Sequence, residues 1–166
     1  MAQAENKLRW CLKKAEREGL EHRGLKKIPP DVDKADKHIA KAMHNLGAMQ
    51  YLIKGGFLDW AVSAGFYVMY HCLLAVLAKN GYESRNQECT FAAIEVLIKE
   101  KKCAITLDQL RKIASFDEQA KKDEVIKLRE EFQYGTSTIL DNAIVKKMVE
   151  EATQFIEFVR LDLKRL

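Results

Sequence analysis

The chain has 166 residues, 48% of them apolar and 31% charged, with 28 Lys+Arg against 24 Asp+Glu. That is enough chain to bury one core, and the apolar share excludes wholesale disorder. With only 2 Pro and 8 Gly, collagen-like and low-complexity architectures are excluded as well.

The apolar spacing is helical almost throughout. Leu8, Cys11, Leu12 and Ala15 mark one face of a first helix, which Gly19 ends. This segment also holds the net charge of +4. Residues 1–30 carry Lys7, Arg9, Lys13, Lys14, Arg17, Arg23, Lys26 and Lys27 against only Glu5, Glu16, Glu18 and Glu21, and the rest of the chain is neutral overall. A basic segment can touch phosphate. Interspersed with acids, this one reads first as the solvated face of a helix. The segment is expected to be a helical extension on a domain covering 31–166.

Pro29-Pro30 breaks the chain, and Asp31 is placed to cap a second helix. Ala35, Ile39, Ala42, Leu46, Met49 and Ile53 then recur every three or four residues, the rhythm of nearly antiparallel helix packing. Gly55-Gly56 ends it. A third helix runs from Leu58 to Lys79 and stops at Asn80-Gly81. Trp60 to Ala78 within it has no Asp, Glu, Lys or Arg, long enough to span a membrane. Ser63, Tyr67, Tyr70 and His71 at its middle would be costly in lipid, so it reads as the central helix of a bundle, with no membrane.

Ser84-x-x-Gln87 has the form of a capping box opening a fourth helix, and Thr106-x-x-Gln109 repeats the form before Leu107 and Leu110. Val125, Leu128 and Phe132 form a short stripe ending at Gly135. The last helix carries Leu140, Ile144, Met148, Ala152, Phe155, Val159 and Leu163 on one face. No segment shows strand alternation. The expected fold class is all-α, an up-and-down bundle of four to five helices with the N-terminal extension.

Cys11, Cys72, Cys89 and Cys103 are far apart and form no CxxC pair, so metal-ligand spacing is absent and no cofactor is implied. Cys72 sits in an apolar run and reads as a small hydrophobe. With no secretory leader in the charged start, a reducing cytoplasm is the expected location.

Gly56 through His71, continued by Leu74 to Ser84, resembles the HEPN domain, and most of all its small stand-alone archaeal and bacterial members. Leu128-Arg129-Glu130-Glu131-Phe132-Gln133-Tyr134-Gly135 is similar to a second stretch of that branch. The resemblance implies a helical bundle that dimerises. Many members are RNases, often toxins paired with a minimal nucleotidyltransferase; others are non-catalytic interaction modules. The RNases carry Arg-x4-6-His, and the motifs of two protomers meet in one cleft. Metal-free RNA cleavage suits that pair: histidine moves a proton near neutral pH, and arginine's planar fork clamps phosphate oxygens.

Arg129 stands at the arginine position, but Tyr134 stands where the histidine is expected. With a reference pKa of about 10, tyrosine is a poor base at neutral pH, though it can stack on a base or donate to phosphate. The resemblance therefore implies a homodimer binding RNA or a nucleotide. Arg129, Tyr134, His71, Tyr67 and Arg85 are its candidate ligand contacts, and a nucleotidyltransferase its candidate partner. Two other readings stay open: a protein-docking module, and a metal-independent endoribonuclease with His71 or His22 supplying the missing imidazole. Arg129 can equally form an ion pair within its own helix, and His71 can be a core histidine. Ser84 and Gln87 place Arg85 beside a cap. Arg17 and His22 spell a literal Arg-x4-His, but they lie outside the matching region and read as coincidence.

Overall fold

The computed structural model describes residues 2–113 and 142–165. The described chain is all-α apart from one small pair of strands. Its helices are α1 (Ala2–Glu18), α2 (Val32–Lys54), α3 (Leu58–Lys79), α4 (Gln87–Lys99), α5 (Leu107–Ile113) and α6 (Asn142–Leu163). A 3-10 turn, Gly19–Glu21, follows α1. The strands β1 (Leu25–Lys27) and β2 (Tyr82–Ser84) pair antiparallel, Leu25 opposite Ser84 and Lys27 opposite Tyr82. The stripe Val125, Leu128, Phe132, with Gly135 and Leu140, lies outside the described residues. Contacts divide the chain into two compact units, one of residues 1–38 and 73–110, the other of 39–72 and 111–166.

In the first unit, α1 buries Ala4, Cys11 and Ala15 and packs on α4, which buries Cys89, Phe91, Ile94 and Leu97. The turn that follows returns close to α1. A Cβ on Gly24 would sit 2.7 Å from the Cys11 carbonyl oxygen, so only glycine lets the backbones approach this far. Leu25 then enters the core, while Lys26 and Lys27 stay outside. Backbone bonds from Ile28 N–H to the Gly81 carbonyl and from Asp31 N–H to the Ala78 carbonyl tie the Pro29-Pro30 segment to the end of α3. Gly81 has φ +83°, and a side chain there would also strike the Ile28 carbonyl at 2.9 Å. Asp31 caps α2 as its position predicts, its carboxylate accepting from Lys34 N–H at 2.8 Å.

The second unit packs α2 from Ile39, α3 as far as Cys72, and α6. At Gly65 an added Cβ would lie 3.1 Å from Met49 Cε and 3.4 Å from Met148 Cε, so α2, α3 and α6 converge on a position with no side chain. Phe66, Val62 and Ala61 fill the α3 face, and Ala152, Phe155, Ile156 and Val159 the α6 face. Of the apolar window of α3, 72% is buried, as expected of a core helix.

Four expectations are corrected. The strand pair was not foreseen because three-residue strands carry too little alternation; their pairing comes from the chain returning past the end of α3. The cap of α4 is Asn86, whose Oδ1 accepts from Cys89 N–H at 3.0 Å. Ser84 lies in β2, where its hydroxyl accepts from Thr90 Oγ1 at 2.8 Å. The Thr106 box, by contrast, forms as expected: Gln109 N–H donates to Thr106 Oγ1 at 3.1 Å and Thr106 N–H to Gln109 Oε1 at 2.9 Å. The α6 stripe enters the core through Val145, not Ile144, which is 39% exposed. Finally, Cys11 and Cys89, 78 residues apart, form a disulfide with Cα atoms 5.8 Å apart. Spacing could not reveal it, because only the packing of α1 on α4 brings the two sulfurs together. Cys72 is buried, and burial pushes its thiol up to about 12, as befits a packing residue.

Candidate functional site

The α3 residues in the second unit show how a nearly all-apolar helix still presents a surface. Trp60, Ala64, Tyr67 and His71 follow each other at spacings of four, three and four, so they share one face. Trp60 is 56% exposed and Tyr67 43%, while the neighbouring positions 61, 62, 66, 68, 69 and 72 are buried. The open face is thus a narrow stripe on a core helix.

Rings gather along it. Phe66 meets Tyr67 edge-on at 5.3 Å and stacks on Tyr70 at 5.8 Å. Tyr70 meets His71 edge-on at 6.4 Å. These contacts hold Tyr67 and His71 in fixed orientations one turn apart. His71 is half-buried. That burial first, and the Lys41 ammonium on α2 second, hold its pKa below the ordinary 6.5. A neutral imidazole can accept or donate a hydrogen bond at pH 7, and it can take up a proton as a base.

Arg85 belongs to the first unit, at the junction of β2 and α4. Its Nη1 donates to the Leu20 carbonyl at 2.8 Å, and its Nη2 lies 3.2 Å from Glu83 Oε1. Glu83 is the hub here: Lys34 hydrogen-bonds its other oxygen, and His22 Nε2 stands 3.6 Å from Oε1. The Lys34 hydrogen bond, with the charges of Lys34, Arg85 and His22, holds the Glu83 carboxyl below its usual 4.5 against the opposing effect of burial. Arg85 thus anchors the turn after α1 to β2.

The literal Arg17/His22 pair is explained by the same cluster. His22 is only 2% exposed, its Nδ1 accepts from Gly24 N–H at 3.3 Å, and its Nε2 faces Glu83. Arg17 lies on the exposed last turn of α1. His22 is therefore buried in the attachment of the extension, and the spacing carries no site.

Of the five candidate ligand contacts, Tyr67 and His71 share one helix face, Arg85 sits in the other unit, and Arg129 and Tyr134 lie outside the described residues. Trp60, Lys41 and Glu83 were missed. The signal for Trp60 was available in the sequence, since its spacing places it on the Tyr67–His71 face. Lys41 and Glu83 act across elements and left none. Among the described residues, no group of three or more His, Cys, Asp or Glu side chains could hold a metal ion.

These features define an all-α helical domain with an aromatic and imidazole stripe on its central helix. A model of the HEPN domain matches residues 35–163, and the chain belongs to the HEPN-domain family. That family is associated with RNase and nucleotide-binding activity. No curated protein matches the chain. Residues 1–34, with α1 and β1, precede the matched region.

Proposed function

We propose that this protein is a HEPN homodimer that binds RNA or a nucleotide in a cleft shared by two copies, working beside a minimal nucleotidyltransferase, and that it holds its ligand without cleaving it. One feature of the sequence carries the reading: inside the matched residues 35–163, the resemblance puts Arg129 at the arginine position of the RNase motif and Tyr134 where its histidine would stand. A guanidinium supplies a bidentate clamp for phosphate, and a phenol supplies stacking and a hydrogen bond, but neither takes up a proton at neutral pH. Tyr67 and the neutral His71 contribute a second stacking ring and a polar contact.

A second reading, a module that docks protein, draws on the large exposed side chains of the second unit: Tyr51 at 77%, Phe57 at 57% and Trp60 at 56%. Arg129→Ala separates the two. Loss of RNA or nucleotide binding by about tenfold or more, with melting unchanged, is expected for a phosphate clamp. Undiminished binding overturns the reading, as does a monomer by light scattering. Metal-free cleavage of total RNA that His71→Ala abolishes would instead make the protein an RNase.

A further inference from the structure

The first 34 residues lie outside the family match, yet residues 1–30 among them carry the chain's entire charge excess, and the segment is fastened into the first unit from one side. The Cys11–Cys89 bond, buried Ala4 and Ala15, and the close approach at Gly24 all lie on the inner face of α1. The outer face is thereby fixed in orientation.

At about 100° per residue, that outer face has Arg9, Lys13 and Arg17 in one row, spaced about 6 Å along the axis. All three are exposed. Next to the row stands Trp10, 44% exposed, with Lys7 Nζ 4.5 Å and Lys14 Nζ 5.2 Å from its ring centre. Glu5 continues the row one turn earlier and Glu16 borders it on its other side, while Lys7 and Lys14 have acids of their own in Glu88 and Glu18. Among the described residues, no acid pairs with Lys13 or Arg17. Two cations at the indole and three more in the exposed row beside it are more than a solvated helix face requires.

We propose that this face of α1 binds single-stranded RNA, with Arg9, Lys13 and Arg17 on successive phosphates and Trp10 stacked on a base. The inference rests on the RNA-binding reading above, but not on its cleft. Cations in a row at fixed spacing match a polyanion backbone, and an exposed ring accepts any base on its π face. A membrane is the poorer occupant, because the apolar face of α1 is already spent on α4 and leaves nothing to insert.

The test uses the full-length oxidised protein and labelled oligouridylate, measured by fluorescence anisotropy over a range of salt. For the triple variant Arg9→Gln, Lys13→Gln, Arg17→Gln, affinity is expected to fall on the order of tenfold or more near 0.1 M salt. The slope of log affinity against log salt should flatten by about 2, at about 0.7 per lost phosphate contact. Trp10→Ala should weaken binding by about tenfold with the slope unchanged. Melting and the disulfide, checked on a non-reducing gel, should match the parent in both. Binding and slope equal to the parent in the triple variant overturn the proposal, as does tighter binding of the parent to phosphatidylserine vesicles or polyglutamate than to RNA. Arg129→Ala distinguishes the two readings. If it alone weakens RNA binding, the α1 surface is wrong and the cleft stands; if only the α1 variants do, the cleft is wrong and this surface stands.

Discussion

The two compact units are held by different chemistry. In the first, apolar packing is supplemented by a disulfide, a strand pair, backbone bonds across the Pro29-Pro30 segment, and the ion cluster on Glu83. In the second, α2, α3 and α6 meet through methionine, phenylalanine and small aliphatic side chains around Gly65. The difference follows the sequence that each must hold. Long amphipathic helices bury enough surface to associate without help. The N-terminal extension has one 17-residue helix with small inward residues, Ala4, Cys11 and Ala15, and a turn. Burial of such small side chains contributes little, so directional and covalent links supply the rest.

Breaking the covalent link should have the largest effect on this contrast. A loop closed over a sequence separation of 78 restricts the unfolded chain by about 4 kcal/mol in the chain-entropy account. Cys11→Ala with Cys89→Ala, or reduction of the parent, should therefore lower melting by on the order of 10 °C by calorimetry. The reduced protein should also lose residues 1–30 first under limited proteolysis. Equal melting with and without reductant would dissolve the distinction between the units.

In the second unit, Met148→Ala should cost about 2–4 kcal/mol, because it opens a cavity where three helices meet at Gly65. The increment should be the same with and without reductant, as read from urea unfolding. A loss that depends on the disulfide would mean the units are not separable.

The smallest expected effect is electrostatic. Glu83→Gln should cost about 1 kcal/mol at pH 7, since a part-buried carboxylate facing Lys34, Arg85 and His22 loses its charge. The folded-state pKa lies below the ordinary 4.5, so this stabilisation is present above that value and is lost as pH falls through the folded value. The stability gap between parent and variant should accordingly close on acidification below about pH 4.5. His71 imposes a further acid-side loss on the second unit that the Gln variant keeps. Its pKa is lowered on folding, so stability falls as pH drops below the ordinary 6.5.

Much of the architecture was legible because its signals are local. The bounds of α3, the cap at Asp31, the reciprocal Thr106–Gln109 box and the buried row on α2 follow from residue spacing and side-chain reach within one turn. The Ser84 box failed for an instructive reason. Asn86 was the stronger capping residue two positions on, and Ser84 was already engaged by Thr90. Of the candidate site, the pairing of Tyr67 with His71 on one face was legible from their four-residue spacing. The commitment of Arg85 to Leu20 and Glu83 was not, because both of its partners are settled by how the extension returns to β2.

The sequence by itself determined the helical class, the bounds of α3, the cap of α2 at Asp31, and the family to which residues 35–163 belong. Periodicity, caps and motif residues act over a few positions and survive any arrangement of the helices. Tertiary structure alone decided that Cys11 bonds Cys89, that His22 is enclosed against Glu83, and that Trp60 and Tyr67 remain open on an otherwise buried helix. Each depends on which surfaces approach through space, and residues dozens of positions apart carry no local mark of that approach.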